Sequence, residues 1–130
     1  MVTVTFVDET TAGDRGVAWH LEVFEETLTL REIIRRRVFQ EVAEHNAADS
    51  DVFRGLVQPT DTERTLNGFK MRATRRVDAE QQVARALDAF SRNGFVVLVD
   101  ERQVEDLDAL LDLRMGTEVT FLKLVPLVGG

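Results

Sequence analysis

Thr117-Glu118-Val119-Thr120-Phe121-Leu122-Lys123-Leu124-Val125-Pro126-Leu127-Val128-Gly129-Gly130 closes the sequence, and its reading decides the fold. Val119 to Val125 is apolar-rich and β-branched, which is the composition of a strand. Pro126 has no amide hydrogen to give to a sheet ladder, so pairing is expected to stop there. A short tail follows and ends on two glycines. A terminal Gly-Gly leaves a main-chain carboxylate with no side chain beside it, and glycine accepts backbone angles that other residues resist. Such an end can thread a narrow channel; the ordinary alternative is a frayed terminus. Within the strand, alternation places Val119 and Phe121 on one face and Leu122 and Leu124 on the other.

The opposite end of the chain supplies a second strand. Val2-Thr3-Val4-Thr5-Phe6-Val7 alternates β-branched and apolar residues over one strand length. Asp8 to Gly16 reads as a turn region with two glycines. A returning strand, about Val17 to Phe24, carries Trp19, Leu21 and Val23 at alternate positions, so the chain is expected to open with a hairpin. Trp19 and His20 read as ordinary core or rim residues, since His20 has no partner in sequence.

Thr29-Leu30-Arg31-Glu32 is a capping box, in which the Thr hydroxyl and Glu carboxylate satisfy the first unpaired amides of a helix. Leu30, Ile33, Ile34, Val38 and Val42 recur at helical spacing, predicting an amphipathic helix to about Asn46. Arg35, Arg36 and Arg37 in its middle read as a solvated face balanced by Glu41 and Glu44.

Residues 47–93 read as an insertion. Asn67-Gly68, between Arg64-Thr65-Leu66 and Phe69-Lys70-Met71, signals a hairpin over about 63–72, with both turn residues at positive φ. A second helix is predicted over about 79–92, capped by Asp78 with Gln81 and burying Val83, Leu87 and Phe90. Asn93-Gly94 ends it, with the glycine suited to the left-handed closing position. From Val52 to Val77 the basic residues Arg54, Arg64, Lys70, Arg72, Arg75 and Arg76 face only Asp61 and Glu63, which gives +4 there and −11 elsewhere. Either this stretch packs back on its own acidic domain, or Arg64, Lys70, Arg72, Arg75 and Arg76 form a docking surface for an acidic partner. Phe95 to Val99 is a continuous strand-like run. The stretch Asp100 to Leu107, leading to Leu110, Leu111 and Leu113, resembles the central part of ubiquitin, which implies a short strand around Gln103-Val104 and a loop anchored by leucines; Met115-Gly116 then turns the chain into the final strand.

Gly116-Thr117-Glu118-Val119-Thr120-Phe121 followed by Gly129-Gly130 resembles the end of ubiquitin-like β-grasp proteins. The parallels are the bacterial sulfur carriers of the molybdopterin and thiamine pathways, and ubiquitin itself. The resemblance covers about residues 1–46 and 94–130 and leaves out the middle. It implies an α+β fold in a single ubiquitin-like domain: a mixed sheet, its first and last strands parallel at the centre, crossed by one helix, here with an inserted hairpin and second helix. It also implies a function in which the terminal glycine carboxylate is activated by an ATP-dependent adenylating enzyme. The resulting acyl-adenylate becomes a thiocarboxylate for a sulfur-accepting enzyme, or a thioester passed to an acceptor protein. Gly129 and Gly130 would be the reacting end, and Pro126, Leu127 and Val128 the flexible arm that delivers it. Leu122 and Leu124 would either form the docking patch for the activating enzyme or be covered by the second helix. The size of the insertion favours a protein modifier or a specialised carrier over a simple sulfur carrier.

Composition narrows the alternatives. The chain has 130 residues, 44% hydrophobic and 30% charged, with no cysteine and a net charge of −7. That size can bury a core without staples. The absence of cysteine removes disulfide, thiol and cysteine–metal chemistry. Net negative charge opposes general nucleic-acid binding, because phosphate repels an acidic surface. No apolar run approaches the roughly 18 residues of a membrane span, and the N-terminus lacks the pattern of a signal peptide. A cytoplasmic protein without membrane or nucleic-acid partners is expected. Phosphate-binding glycine loops, Ser/His/Asp spacing and metal-ligand spacing do not occur, and Asp106, Asp108, Asp112, Glu25 and Glu26 read as solvated carboxylates. The expectation is therefore a substrate or carrier needing no cofactor, with no catalysis of its own. The rival class is a non-conjugated adaptor that binds through the basic hairpin.

Overall fold

The first and last elements of the described residues are strands, as their alternating residues require. A computed structural model of the chain describes residues 1–48, 52–53, 55–57, 62–65, 68–71 and 76–124. In chain order the elements are β1 (Val2–Thr10), β2 (Arg15–Val23), β3 (Thr27–Thr29), α1 (Leu30–Ala48), β4 (Val52–Phe53), β5 (Thr62–Thr65), β6 (Gly68–Met71), α2 (Ala79–Ser91), β7 (Phe95–Val99), β8 (Arg102–Val104), β9 (Leu110–Asp112) and β10 (Glu118–Lys123). The fold is α+β. Its chain divides into two units, Met1–Arg31 with Arg92–Gly130, and Glu32–Ser91.

The first unit is built on a mixed five-stranded sheet in the order β2-β1-β10-β7-β8. β1 and β10 run parallel at its centre, with Phe6 opposite Val119 and Asp8 opposite Phe121. The other neighbours are antiparallel. Val4, Phe6, Val23, Phe95, Val97, Val119 and Phe121 are all buried, each stabilising the unit by about 1.5–3 kcal/mol for a side chain of this size. The Phe6 and Phe121 rings meet edge to face at 5.4 Å, an arrangement that sets the positive ring edge against the negative face.

Two turns fix the last strand. Gly116 has φ 83°, a left-handed angle that glycine takes without a Cβ penalty, and its N–H donates to Thr3 O at 3.2 Å. Asp100 and Glu101, with φ 46° and 72°, make the two-residue connection between β7 and β8, where right-handed strand twist demands positive φ at both positions. Neither is glycine. Asp100 is held by β10 itself: its N–H donates to Glu118 O at 2.9 Å, and its Oδ1 accepts the Glu118 N–H at 3.0 Å.

β3 and β9 form a two-stranded ribbon with Leu28 opposite Leu111. The leucine-anchored loop of the sequence reading thus contains a strand, and its carbonyls take over part of the helix capping. Leu30 N–H donates to Ala109 O, and Arg31 N–H to Leu107 O. Thr29 closes β3, and α1 begins one residue later.

The second unit is held by polar side chains bonded to backbone. Arg37 does not lie on a solvated face. Its Nε donates to Glu41 Oε1 at 2.7 Å, and both side chains are almost wholly buried. The Glu41 carboxylate also accepts the Leu56 N–H at 3.1 Å from each oxygen. A Cβ on Gly55 would overlap the Phe53 ring and fall 2.8 Å from Glu41 Oε2, so only glycine lets the chain pass here. Arg35 and Arg36 do lie nearer the surface, paired with Glu80 and Glu32, while Glu44 accepts from Gln40. Asn46 bonds both the N–H and the carbonyl of Val77, and the Gln82 amide donates to Val57 O at 2.7 Å.

Asp78 caps α2 through the Gln81 N–H as predicted, and Val83, Ala86 and Phe90 are buried with Gln82. Asn93, at φ 60°, takes the left-handed position expected of Gly94; an Asn side chain tolerates that angle better than most. β5 and β6 pair as a hairpin and β4 adds a third strand in the order β4-β6-β5. Thr65 stands opposite Gly68, so Gly68 occupies a strand position and not the turn; Leu66 and Asn67 lie outside the described residues.

Two outcomes test this account. Arg37→Met leaves the Glu41 charge buried without its partner and is expected to cost about 3–5 kcal/mol in urea unfolding. Adding Glu41→Leu should recover part of that, leaving the Leu56 amide unsatisfied at about 1–3 kcal/mol; a double variant no more stable than the single one would show that the charges are not coupled. The bidentate hydrogen bond from Arg35 holds the exposed Glu80 carboxyl below its ordinary range. Its contribution is therefore present above the unfolded pKa of about 4.3 and is lost as pH falls through the lower folded value. Glu80→Gln should therefore lower stability slightly at neutral and alkaline pH, converge with the parent below both values, and so flatten that part of an acid-unfolding profile.

Candidate functional site

The second face of the five-stranded sheet carries apolar residues as far as Leu124, the last described residue. Val7 stands opposite Val17 on one side and Thr120 on the other, and Thr120 stands opposite Leu98. In the next row Glu9 pairs with Leu122, and Leu122 with Val96. An apolar band thus crosses β2, β1, β10 and β7, and Leu124 continues it beyond the last ladder pair. Exposure is graded along it. Val7 and Thr120 are buried, Val96, Leu98 and Leu122 are half-buried, and Val17 and Leu124 are exposed.

One ion pair explains why the centre of that band is covered. Arg15 on β2 donates to the Glu118 carboxylate on β10 and lies 4.0 Å from Glu9. β1 lies between those strands, so the Arg15 side chain must cross β1, and Val7 stands on that path. The aliphatic stem of an arginine covers apolar surface while its head remains wet. Beside this pair, Thr5 Oγ1 lies 3.2 Å from His20 Nδ1, and His20 is exposed.

Leu122 and Leu124 therefore share a face opposite to Val119 and Phe121, which are fully buried. Pro126, Leu127, Val128, Gly129 and Gly130 lie outside the described residues. Arg72 and Arg75 of the basic set also lie outside them. Arg64 stands opposite Phe69 and Lys70 opposite Glu63, at successive positions of the hairpin, and Arg76 is exposed beside Val77. Sequence reasoning missed Arg15, Val17, Val96 and Leu98 as parts of the band. Their signal was present: Val96 and Leu98 fall out of phase with Phe95 and Val97 in a run apolar on both faces.

Among the described residues no group of three or more His, Cys, Asp or Glu could hold a metal ion, and no helix there is long and apolar enough to cross a membrane. No known protein family, curated protein or solved structure matches the chain.

The two faces should respond differently to truncation. Phe121→Ala removes a fully buried ring and is expected to cost about 3–5 kcal/mol. Leu124→Ala, on the band and 45% exposed, should stay within about 0.5 kcal/mol of the parent. Thermal or urea unfolding of both variants checks the assignment, and comparable losses would overturn it.

Proposed function

We propose that this chain is a ubiquitin-like β-grasp protein whose C-terminal glycine carboxylate is activated by an ATP-dependent adenylating enzyme and transferred as a thiocarboxylate or acyl group. The observation that carries the reading is the sheet. In its order, β2-β1-β10-β7-β8, β1 and β10 are parallel at the centre, the pairing of first and last strands that the resemblance implies, and in sequence Gly129-Gly130 follow β10. A free carboxylate is a poor acyl donor, so adenylation supplies the leaving group. A diglycine end fits the narrow passage such chemistry needs. Leu122 and Leu124 would meet the activating enzyme; what supports this is that they share one face with the apolar band. The acceptor is then either a sulfur-accepting enzyme or a protein.

A second reading is a non-conjugated adaptor that binds through the basic inserted hairpin, which belongs to the Glu32–Ser91 unit. Its support is that this unit has its own three-stranded sheet and buried ion pair. In that case charge reversal at Arg64, Lys70 and Arg76 would abolish binding to an acidic partner while the tail is dispensable.

The tail decides between them. One residue added after Gly130 moves the carboxylate by about 3.3–3.6 Å, too far when reacting atoms must sit within about 3–3.5 Å. A bulky residue at position 129 should block the passage. Mass spectrometry of the intact chain, incubated with adenylating enzyme, ATP and a sulfur source or acceptor, should show modification at Gly130 for the parent and none for either variant. Modification of the extended chain at the parental rate would show that the carboxylate is not the reacting group.

A further inference from the structure

The end of the sheet away from the tail carries an apolar surface of a different kind. β10 runs parallel to β1, so its first residues lie at the Met1 end. There Val2 stands opposite Val23, which leaves Met1 and Phe24 each one residue beyond the same ladder pair. Gly116 N–H donates to Thr3 O, bringing Met115 along the other side of β1. Two strand spacings of about 4.8 Å put the Phe24 and Met115 backbones roughly 10 Å apart. Phe24 is 81% exposed, Met115 71% and Met1 68%. Single exposed apolar residues are ordinary, but three large ones gathered at one sheet end are of the kind that marks an interaction surface.

The rim of this patch is acidic. Glu22, Glu25, Glu26 and Asp112 are all exposed. Their positions are fixed, because Asp112 pairs with Thr27 and Leu113 N–H donates to Glu26 O at 2.8 Å. Arg114 is a basic residue beside them. The wider field has the same sign: residues 1–31 carry −4 and 92–130 carry −3, whereas 32–91 are neutral. The whole net charge of the protein thus belongs to the unit that bears the patch.

We propose that Phe24, Met115 and Met1 form a docking surface for a basic amphipathic segment of another protein. Its apolar side chains would seat on the Phe24 ring and the adaptable methionines, which conform to irregular surfaces. Its lysines and arginines would meet Glu22, Glu25, Glu26 and Asp112. The field of the first unit speeds encounter with a cationic segment and repels acidic proteins and anionic lipid. The surface lies about 17 Å, five strand rises, from the end of β10. It uses none of the residues of the activation proposed for the tail.

The test uses the full chain and a fluorescein-labelled peptide of Leu-Lys-Lys-Leu repeats, read by anisotropy, with a Leu-Glu-Glu-Leu counterpart. Phe24→Ser and Met115→Ser change no charge and lie on exposed side chains, so thermal unfolding should be unaltered. The expected result is binding of the cationic peptide, weakened about tenfold or more by each variant, as for loss of an anchoring side chain, and no binding of the acidic peptide. Equal binding by Phe24→Ser would reduce the effect to general charge attraction and overturn the proposal. So would no binding at all. Sedimentation velocity and flotation with anionic vesicles complete it. A dimer abolished by Phe24→Ser would assign the patch to a second copy, and vesicle binding abolished by Phe24→Ser would assign it to lipid; either result overturns it.

Discussion

The parallel ladder between β1 and β10 is the constraint on which the first unit depends. Parallel neighbours cannot be joined by a tight turn, and these two are the first and last strands of the described chain. Nearly the whole sequence is therefore one crossover between adjacent strands. Closing a flexible loop of about a hundred residues costs roughly 4 kcal/mol plus a constant. Burial of Val4, Phe6, Val119 and Phe121 along that ladder outweighs it, at about 1.5–3 kcal/mol per side chain. The hairpins β1-β2 and β7-β8 form from near neighbours and shorten the span that must be closed. Asp100 shows how the pieces lock: a strained turn of the β7-β8 hairpin is bonded through both backbone and side chain to Glu118, at the start of the last strand.

The second unit solves a different problem. Its strands are two to four residues long, too short to supply much ladder. Fixed points come instead from Glu41 on Leu56, Asn46 on Val77 and Gln82 on Val57. A buried ion pair is weak evidence for stability in itself, since desolvation of both charges offsets their attraction. Here Glu41 also binds a backbone amide, and Gly55 admits the chain close to its carboxylate. The pair fixes one path for residues 55–57 where apolar contacts alone would permit several.

Strands and helices with strong periodicity were legible from residues alone. β1, β7 and both helices fall close to where alternation, capping and helical spacing put them, and the three-residue β8 was expected only from the resemblance to ubiquitin. β3, β4 and β9 were not, because two or three residues cannot display a period. Arg37 was misread for a related reason. An arginine triplet on an amphipathic helix looks solvated, and burial of its third member depends on Glu41 meeting Leu56, which is distant in sequence. Asn93 displaced Gly94 because either residue can take a left-handed angle, and the sequence does not state which one does. The faces of β10 were legible, since alternation alone separates Val119 and Phe121 from Leu122 and Leu124. The Arg15 strap was not, because it joins residues 15 and 118 across an intervening strand.

Charge and hydrophobicity are distributed so that β10 has two unlike ends. At its finish, the band of Val96, Leu98 and Leu122 reaches Leu124 with an ion pair over its centre. At its start, Phe24 and Met115 stand exposed within an acidic rim. A rigid sheet holds these surfaces at a fixed separation, because β10 is hydrogen-bonded on both edges, to β1 and to β7. A partner at one end therefore does not have to displace a partner at the other. The Glu32–Ser91 unit, with ten basic and ten acidic residues, adds no net field of its own to offset the acidic one. Long-range attraction of cations is then a property of the first unit, whereas the exposed apolar residues near each end of its last strand act only at short range.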